Sequence, residues 1–338
     1  MAYAATLIPG DGIGPEITAA TLKVLEATGV EFQWDEQIAG VTAVEKTGTP
    51  IPEATLQSIR ERRLALKGPL TTPVGTGFRS VNVALRKEFA LYANLRPAFT
   101  ILPGRYDNID IVLVRENLEG LYSGVEHFIQ IDSDPRAVAV SEAILTRRGA
   151  ERIIRFAFEY AARHGRRNVT LVHKANILKM VGGLFLEVGH AIAREFAEQV
   201  TSNELIVDNA AMQLVLKPEQ FDLIVTTNLF GDILSDLISG LVGGLGLTPG
   251  GNIGTGAAIF EAVHGSAPDI AGRGVANPSA HMLAAALMLD HLSEHAAAAR
   301  LREAIRRTIV EDRIRTRDLG GTATTEQFGD AVARRVSA

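Results

Sequence analysis

The chain has 338 residues, enough for one large domain or two ordinary ones, and 46% of them are apolar, which supplies a sizeable core. Its 34 basic and 39 acidic residues leave a formal charge of −5, which argues against a general nucleic-acid or anionic-membrane binder, since either would need a basic face. The absence of cysteine removes disulfides, thiolate metal sites and cysteine nucleophiles. No apolar run reaches the ~18 residues that span a bilayer, and the opening Met-Ala-Tyr-Ala-Ala-Thr has none of the pattern of a secretory signal. A cytoplasmic location is expected, or the mitochondrial matrix in a eukaryotic host.

At the start, "TLIPGDGIGPE" passes from a short apolar strand through glycines into a helix opened by Pro15 and Glu16. Gly10 and Gly12 satisfy G-x-G, but the third glycine of the dinucleotide fingerprint would fall at Pro15. The segment is therefore a tight strand-to-helix turn, with proline suited to the first helical position. Ile17, Ala20, Thr21, Val24 and Leu25 keep helical spacing as far as Gly29, and Val30 to Trp34 reads as a strand. Further on, "LTTPVGTGFRSVNVALRKEFALYANLRP" is dense in anion-binding groups: Arg86, Arg96, and Ser80 and Asn82 just before a helix. With Arg115 they suit a small substrate bearing several carboxylates, because guanidinium pairs carboxylate through two charge-assisted hydrogen bonds. The plainer reading, a solvated face with surface ion pairs, suits Lys87 and Glu88 better than the arginines.

The middle of the chain alternates short apolar strands with helical patterns, which defines α/β. Strands at Ile109–Val114, Val169–Val172, Leu205–Val207 and Leu223–Val225 run into Arg115-Glu116-Asn117, His173-Lys174, Asp208-Asn209 and Thr226-Thr227-Asn228. Ligands of open α/β sheets sit outside the carboxyl ends of strands, so these ends predict a polar, charged cleft; alternatively they mark only where strands leave the core. In "NLFGDILSDLISGLVGGLG", Asp232 and Asp236 share a helix face near its start, with Ile233, Leu234, Leu237, Ile238 and Leu241 forming an apolar face. Two adjacent carboxylates suit Mg²⁺ or Mn²⁺, with Asp208 as a third ligand. They also suit the positive end of a helix dipole without any metal. Met282 to Leu289 is a short apolar run that reads as a core helix.

"IPGDGIGPE", "LYANLRP", "VRENLEGLYSG", "VHKANILK", "TNLFGDILSDL", "GGLGLTPGGNIG" and "FEAVHGSAPDIAG" occur in that order along nearly the whole chain. Together they resemble the metal-dependent β-decarboxylating dehydrogenases, the family of isocitrate, 3-isopropylmalate, homoisocitrate and tartrate dehydrogenases. The resemblance implies a three-layer α/β/α fold, distinct from the Rossmann dinucleotide fold. It implies a discontinuous cofactor domain, 1–96 and 243–338, around a small domain, 97–242, that carries dimer contacts and the metal and substrate residues. By the same match, Asp208, Asp232 and Asp236 surround Mg²⁺ or Mn²⁺. Ser80, Asn82, Arg86, Arg96, Arg115, Tyr122 and Lys174 bind substrate. Lys174 assists removal of the hydroxyl proton, and Tyr122 helps protonate the enol left by loss of CO₂. The family's site is shared across a homodimer, which would set Lys174 and Asp208 of one chain against Asp232 and Asp236 of the other.

Within the family, Ser80-x-Asn82 followed by Arg86 is similar to the isocitrate enzymes, whose serine and asparagine bind the γ-carboxylate. A polar pair of this kind disfavours the isopropyl group of isopropylmalate, while homoisocitrate, one methylene longer, and other 2-hydroxy-diacids are the enzymatic alternatives. Asp269 and Ile270 stand where NADP-dependent prokaryotic isocitrate enzymes carry Lys and Tyr, and "TRDLGG" lacks the Tyr and Arg those enzymes place on the phosphate. Asp269 can accept hydrogen bonds from ribose hydroxyls and repels a 2′-phosphate, which implies NAD. His264 and Asn277 match adenine-contacting positions, Ile13 forms an apolar wall, and Thr72, Asn228, Glu261, Gly265 and Ala267 complete the implied cofactor contacts. The short stretch from Tyr122 to Thr146 resembles the compact NAD-dependent enzymes, including the catalytic subunit of the mitochondrial type. A regulatory subunit without turnover is the non-enzyme alternative, and the complete lysine, tyrosine and aspartate set speaks against it. Phosphorylation of Ser80 would set about −1.5 to −2 charges against an anionic substrate.

Overall fold

A computed structural model describes residues 2–72, 80–102, 104 and 106–337. The glycine-containing stretch 73–79 ahead of Ser80 lies outside the described residues. The chain begins with β1 (Tyr3–Ile8), α1 (Gly14–Ala27), β2 (Phe32–Glu36), α2 (Val41–Thr47), α3 (Glu53–Arg62), β3 (Leu64–Lys67), α4 (Val81–Glu88) and β4 (Ala93–Phe99). It continues through β5 (Asp110–Glu116), β6 (Glu126–Ile131), β7 (Asp134–Ser141), α5 (Arg147–Arg163), β8 (Asn168–His173), α6 (Lys179–Glu195), β9 (Thr201–Ile206), α7 (Val207–Leu216), β10 (Leu223–Thr226) and α8 (Asn228–Leu241). It ends with β11 (Pro249–Ile253), β12 (Ala258–Ala262), α9 (Ser279–His291), α10 (His295–Val310) and α11 (Thr325–Ser337). No helix among the described residues is long and apolar enough to cross a membrane.

Two compact units result. The first comprises Met1–Leu91, Arg96–Ile109 and Ser239–Ala338, the second Tyr92–Leu95 and Asp110–Ile238. This moves the boundary drawn from sequence, which gave 97–109 and 239–242 to the central domain. Ile101 is buried in the core of the first unit with Phe99 and Leu102 packed against it, and Thr100 N donates to Ile109 O at 2.9 Å. Tyr92 goes the other way: its carbonyl accepts from Asn117 N at 3.0 Å, and its ring meets Phe156 edge-on at 6.1 Å.

In the first unit the strands lie in the order β2-β1-β3-β12-β11, parallel except for β11, which runs antiparallel to β12. Side chains alternate across this sheet with period two. Leu64 and Leu66 of β3 and Ala258 and Phe260 of β12 join a core with α1, α9, α10 and α11. Ala65 and Ile259, between them, join a second core with Ile59 of α3 and Val81 and Leu85 of α4. Helices thus cover both faces, and the sheet is the middle of three layers.

In the second unit β5-β10-β8-β9 form a wholly parallel run. Their central residues, Ile111 to Val114 and Leu223 to Val225, have no measurable exposure, as strands buried on both faces require. The amphipathic α5 packs on β5, β10 and β8. β6 and β7 form a separate antiparallel hairpin that is exposed along almost its whole length, including Phe128, Ile129, Ile131 and Val138. One expected strand end shifts. β9 stops at Ile206 and α7 starts at Val207, so Asp208 stands in the first turn of a helix and not on the end of a strand.

Candidate active site

The second unit places its reactive groups where buried strands end. β5 emerges at Arg115, whose side chain is about 1% exposed. The guanidinium is saturated from α8: Nε donates to Asn228 O at 2.9 Å, Nη2 to Asn228 Oδ1 at 2.8 Å, and Nη1 to Asp232 Oδ1 at 2.5 Å. This passage needs a glycine, because a Cβ on Gly231 would lie 2.5 Å from Arg115 Cγ. The next residue, Glu116, is buried and accepts from Leu118 N at 3.0 Å and Glu119 N at 2.7 Å, which shapes the loop toward Tyr122. Tyr122 stands on a short turn between Gly120 and Gly124, both at positive φ. Its hydroxyl donates to Asp232 Oδ2 at 2.5 Å, and Arg115 Cζ lies 5.1 Å from its ring centroid. Burial, reinforced by the Asp232 carboxylate, pushes the phenol above its ordinary range, so it holds its proton at neutral pH.

Sequence reasoning set Asp232 and Asp236 at the helix start. In the structure α8 begins at Asn228 and has no acidic residue in its first turn. The dipole explanation loses its force there, since the effect fades beyond the first turn. Asp236 lies one turn beyond Asp232 and is exposed. Asn228, expected on the cofactor, spends Oδ1 on Arg115, while its buried Nδ2 has no partner among the described residues. At the end of β8, Lys174 Nζ donates to Asp208 Oδ1, and this bond holds the Asp208 carboxyl below its ordinary range. Among the described residues no three acidic or histidine side chains gather as a metal group. One chain therefore does not bring Asp208 to Asp232 and Asp236. Asp232 and Asp236, hard oxygen donors one turn apart, still fit part of an Mg²⁺ or Mn²⁺ shell. Nearby elements expose apolar side chains, Ile177 at 67% and Met180 at 85% beside Lys174, with Met212, Leu216 and Ile233 on α7 and α8.

In the first unit Ser80 caps α4, its Oγ accepting from Val83 N at 3.5 Å. Asn82 lies inside that helix, not before it, and its buried Oδ1 has no partner among the described residues. Arg86 closes the helix; Nε donates to Asn252 Oδ1 at 3.1 Å, and Nη2 lies 3.5 Å from Glu261 Oε1. Arg96 is buried on β4. Glu261, assigned from sequence to the cofactor, is committed inside the protein. Its Oε2 is 2.6 Å from Lys67 Nζ, and its Oε1 accepts from Asn252 Nδ2 at 2.7 Å. Burial alone would raise this carboxyl, but Lys67 and Arg86 outweigh it and hold it down at about 2. Lys67 escaped the sequence reading; the signal was a lysine closing β3, whose residues are all buried. Thr72 is exposed.

A cavity of about 660 Å³ in the first unit is lined by Ile13, His264, Gly265, Ala267, Ile270 and Asn277, and also by Gly246, Arg273, Arg317 and Asp318. Ile13 packs with Ile17 and Ala276, and Ala267 and Ile270 lie against them, which makes the apolar wall. His264 turns Nδ1 to Gly265 O at 2.9 Å, while its buried Nε2 has no partner among the described residues. Burial lowers its pKa, so the ring is neutral near pH 7. Asn277 Nδ2 donates to Asp318 Oδ2 at 2.9 Å. Asp269 is exposed and does not line the cavity. Arg273 and Arg317 were not marked from sequence, and they put positive charge on the wall. The opening turn holds no phosphate cradle. A Cβ on Gly12 would lie 2.0 Å from Ser266 O, and the Asp11 carboxylate already accepts from Thr42 N at 3.0 Å and Thr71 N at 2.9 Å.

His281, at the start of α9, is fully buried, with Nε2 3.4 Å from Thr18 Oγ1 and no partner for Nδ1 among the described residues. Burial, then the nearby His264 and Lys67, push its pKa from 6.5 down to about 3. A depressed histidine leaves the unfolded chain binding the extra proton, so stability is intact above the unfolded value and falls as pH drops from 6.5 toward 3. At pH 5 the loss from this group is about 2 kcal/mol. His281→Leu should flatten that decline in urea midpoints measured between pH 7.5 and pH 5. Parallel declines in the two proteins would remove His281 as the cause.

Charged strand ends, a protonated tyrosine held by an aspartate, and an apolar-walled cavity with basic groups suit the chemistry of an α/β oxidoreductase. The family model described as Isocitrate/isopropylmalate dehydrogenase matches residues 4–332, and the chain belongs to that family. It is 48% identical over 332 residues to "Isocitrate dehydrogenase [NAD] catalytic subunit 5, mitochondrial" of Arabidopsis thaliana, covering 97% of this chain and 87% of that one. It is 45% identical over 336 residues to a mitochondrial regulatory subunit of NAD isocitrate dehydrogenase from Dictyostelium discoideum, covering 98% and 91%. The crystal structure of isocitrate dehydrogenase from Methylococcus capsulatus superimposes with a TM-score of 0.95 at 56% identity, covering 99% of this chain and 100% of that one.

Proposed function

We propose that the chain oxidises isocitrate with NAD and decarboxylates it to 2-oxoglutarate and CO₂, the decarboxylating step of the tricarboxylic acid cycle. A cytoplasmic location, or the matrix of a eukaryotic host, goes with this reading. The observation that carries it is the Arg115–Asp232–Tyr122 constellation at the end of β5, in a chain whose relatives bear that activity in their names. Arg86, Arg96 and Arg115 hold the substrate carboxylates, and Ser80 and Asn82 take the γ-carboxylate. Asp232, Asp236 and Asp208 of a second copy would hold Mg²⁺ or Mn²⁺, which would supply Lewis acidity to the reaction. Lys174 of that second copy assists removal of the hydroxyl proton, and NAD, when bound, would serve as the hydride acceptor. Tyr122, its phenol protonated, delivers a proton to the carbon that CO₂ leaves. Ile13, His264 and Asn277 hold the adenosine portion of NAD.

Two features support a homodimer as part of this reading. No single chain gathers the three carboxylates among its described residues, and the exposed apolar side chains around Lys174 and along the β6–β7 hairpin make a surface suited to a second copy. Homoisocitrate is the enzymatic alternative. A regulatory role, carried in the name of the Dictyostelium relative, is disfavoured by the complete set of Lys174, Tyr122 and aspartates. The test is turnover of isocitrate, homoisocitrate and isopropylmalate, each with NAD and NADP, with and without Mg²⁺. Metal-independent turnover or a preference for isopropylmalate overturns the reading. With Arg273 and Arg317 on the cavity wall, discrimination against NADP rests on Asp269. Asp269→Lys should therefore shift the NADP-to-NAD ratio of kcat/KM by about tenfold or more toward NADP, and no shift removes Asp269 as the determinant.

A further inference from the structure

We propose that a second cavity, where the chain leaves α10 and enters α11, is a binding site for small multivalent phosphates and is coupled to the adenosine cavity through the loop 315–323. The cavity measures about 610 Å³, and its lining includes Arg313, Arg315, Arg334, Gly321, Thr322 and Gln327. Nearby carboxylates are already engaged by other cations. Asp330, which also lines it, pairs with Lys23. Asp312 accepts from Arg335 Nε at 2.9 Å, and Glu311 from Arg307 Nε at 2.9 Å. Arg313, Arg315 and Arg334 make no close ion pair with a carboxylate among the described residues, although the Asp312 carboxyl, bonded to Arg335, also lies in the field of Arg334. Arg315 is fixed by its Nε, which donates to Ile309 O at 2.8 Å. Arg313 sits at φ 55°, a left-handed backbone that L residues rarely adopt and that recurs at ligand clamps. Converging guanidiniums pair phosphate oxygens bidentately, and the volume leaves room for an organic group beyond one pyrophosphate.

The loop links the two cavities. Arg315 O accepts from Ala323 N at 2.9 Å, and Thr316 O accepts from Leu319 N at 3.1 Å and from Gly321 N at 3.0 Å. A Cβ on Gly321 would lie 2.0 Å from Arg315 O, so the ring closes on itself without slack. Arg315, Gly321 and Thr322 line the phosphate cavity, and Arg317 and Asp318 of the same ring line the adenosine cavity. Thr316 Oγ1 donates to Asp318 Oδ1 at 2.6 Å, and Asp318 in turn orients Asn277. An anion that steadies the ring pre-organises this pair, and coupling between sites is reciprocal. The coupling rests on the NAD reading above, whereas the phosphate site itself does not.

The probe is inorganic pyrophosphate, titrated calorimetrically into the metal-free full chain at fixed ionic strength, with fructose 1,6-bisphosphate as the organic arm. Saturable binding is expected, weakened about tenfold or more in the Arg313→Ala/Arg334→Ala double variant, since each removed guanidinium takes charge-assisted bonds with it. Gln327→Glu keeps the acceptor that caps α11, where Thr324 N donates to Gln327 Oε1 at 3.0 Å, and adds a repelling carboxylate. It should weaken binding similarly, which guards against misfolding of the double variant. NAD should bind up to about fivefold tighter with pyrophosphate present, and Arg317→Ala should leave pyrophosphate affinity unchanged. Binding that neither the double variant nor Gln327→Glu weakens, or that NAD displaces one for one, overturns the site. Saturable binding with no effect on NAD affinity overturns the coupling alone.

Discussion

Chains carrying Lys174→Met and chains carrying Asp232→Asn should each be inactive alone and regain turnover when mixed as subunits. Asp232 accepts from Arg115 through Oδ1 and from Tyr122 through Oδ2. Asparagine retains one carbonyl acceptor for the buried guanidinium but loses the negative charge that the arginine requires and that the proposed metal would require. On the proposed roles, turnover should fall by about 10³-fold or more, because the proposed metal ligand and the partner of the proposed proton donor would be lost together. Lys174→Met removes the amine proposed to assist proton removal, together with its ion pair to Asp208, and leaves α8 untouched. If Lys174 and Asp232 served the same site within one chain, no combination of the two variants would contain an intact site. If the site is shared, each hybrid dimer has one intact site and one doubly damaged site, and random mixing restores roughly a quarter of the wild-type rate. The measurement is specific activity after the two variants are co-expressed or unfolded and refolded together. A mixture as inactive as its components would refute the shared site, provided size-exclusion chromatography shows that hybrids form.

What the sequence made legible depends on whether local pattern or distant contact decides each feature. α1 and the strands β5, β8 and β10 could be read because period and burial agree: helical spacing in the first, and unbroken apolar runs in strands buried on both faces. The end of β9 was misplaced because Leu205, Ile206 and Val207 form one apolar run, and a β-branched valine gives no local sign that the helix has begun. Spacing spoke against a phosphate cradle at the opening turn, with Pro15 where a third glycine is needed, and the turn's own donors are spent inside the protein: Asp11 N on Pro69 O, Ile13 N on Ser266 O and Gly14 N on Asp11 O. Lys67 and Glu261 could not be paired from sequence. They become neighbours only because β12 lies beside β3 in the register that sets Glu261 opposite Lys67. Arg273 and Arg317 were hidden for a similar reason: both are loop residues whose approach to His264 depends on how distant segments close around one cavity.

Lys67→Met should be among the most destabilising single changes in the first unit. Glu261 is buried, and its charge is balanced chiefly by Lys67 at 2.6 Å, with Arg86 farther away at 3.5 Å. Removing one member of a buried ion pair leaves the other desolvated and uncompensated, at a cost of about 3–5 kcal/mol. Glu261→Gln makes the opposite error and leaves two cations facing each other across a neutral amide. The double variant Lys67→Met/Glu261→Gln removes both charges and should recover much of the loss, because Asn252 Nδ2 can still donate to the amide oxygen. The pH dependence follows in sign. Glu261 is depressed from 4.5 to about 2, so its contribution is complete above pH 4.5 and is lost as pH falls toward 2. Without Lys67 the folded pKa rises, and that contribution shrinks or reverses. If Arg86 binds substrate as proposed, the cluster also acts on the substrate side, since Arg86 shares its guanidinium between Asn252 and Glu261. With Lys67 gone, Glu261 should draw Arg86 toward itself and raise KM for isocitrate more than it lowers kcat. Urea midpoints of the three variants decide the matter: a Lys67→Met protein within about 1 kcal/mol of wild type would mean that water, not the lysine, solvates the Glu261 carboxylate.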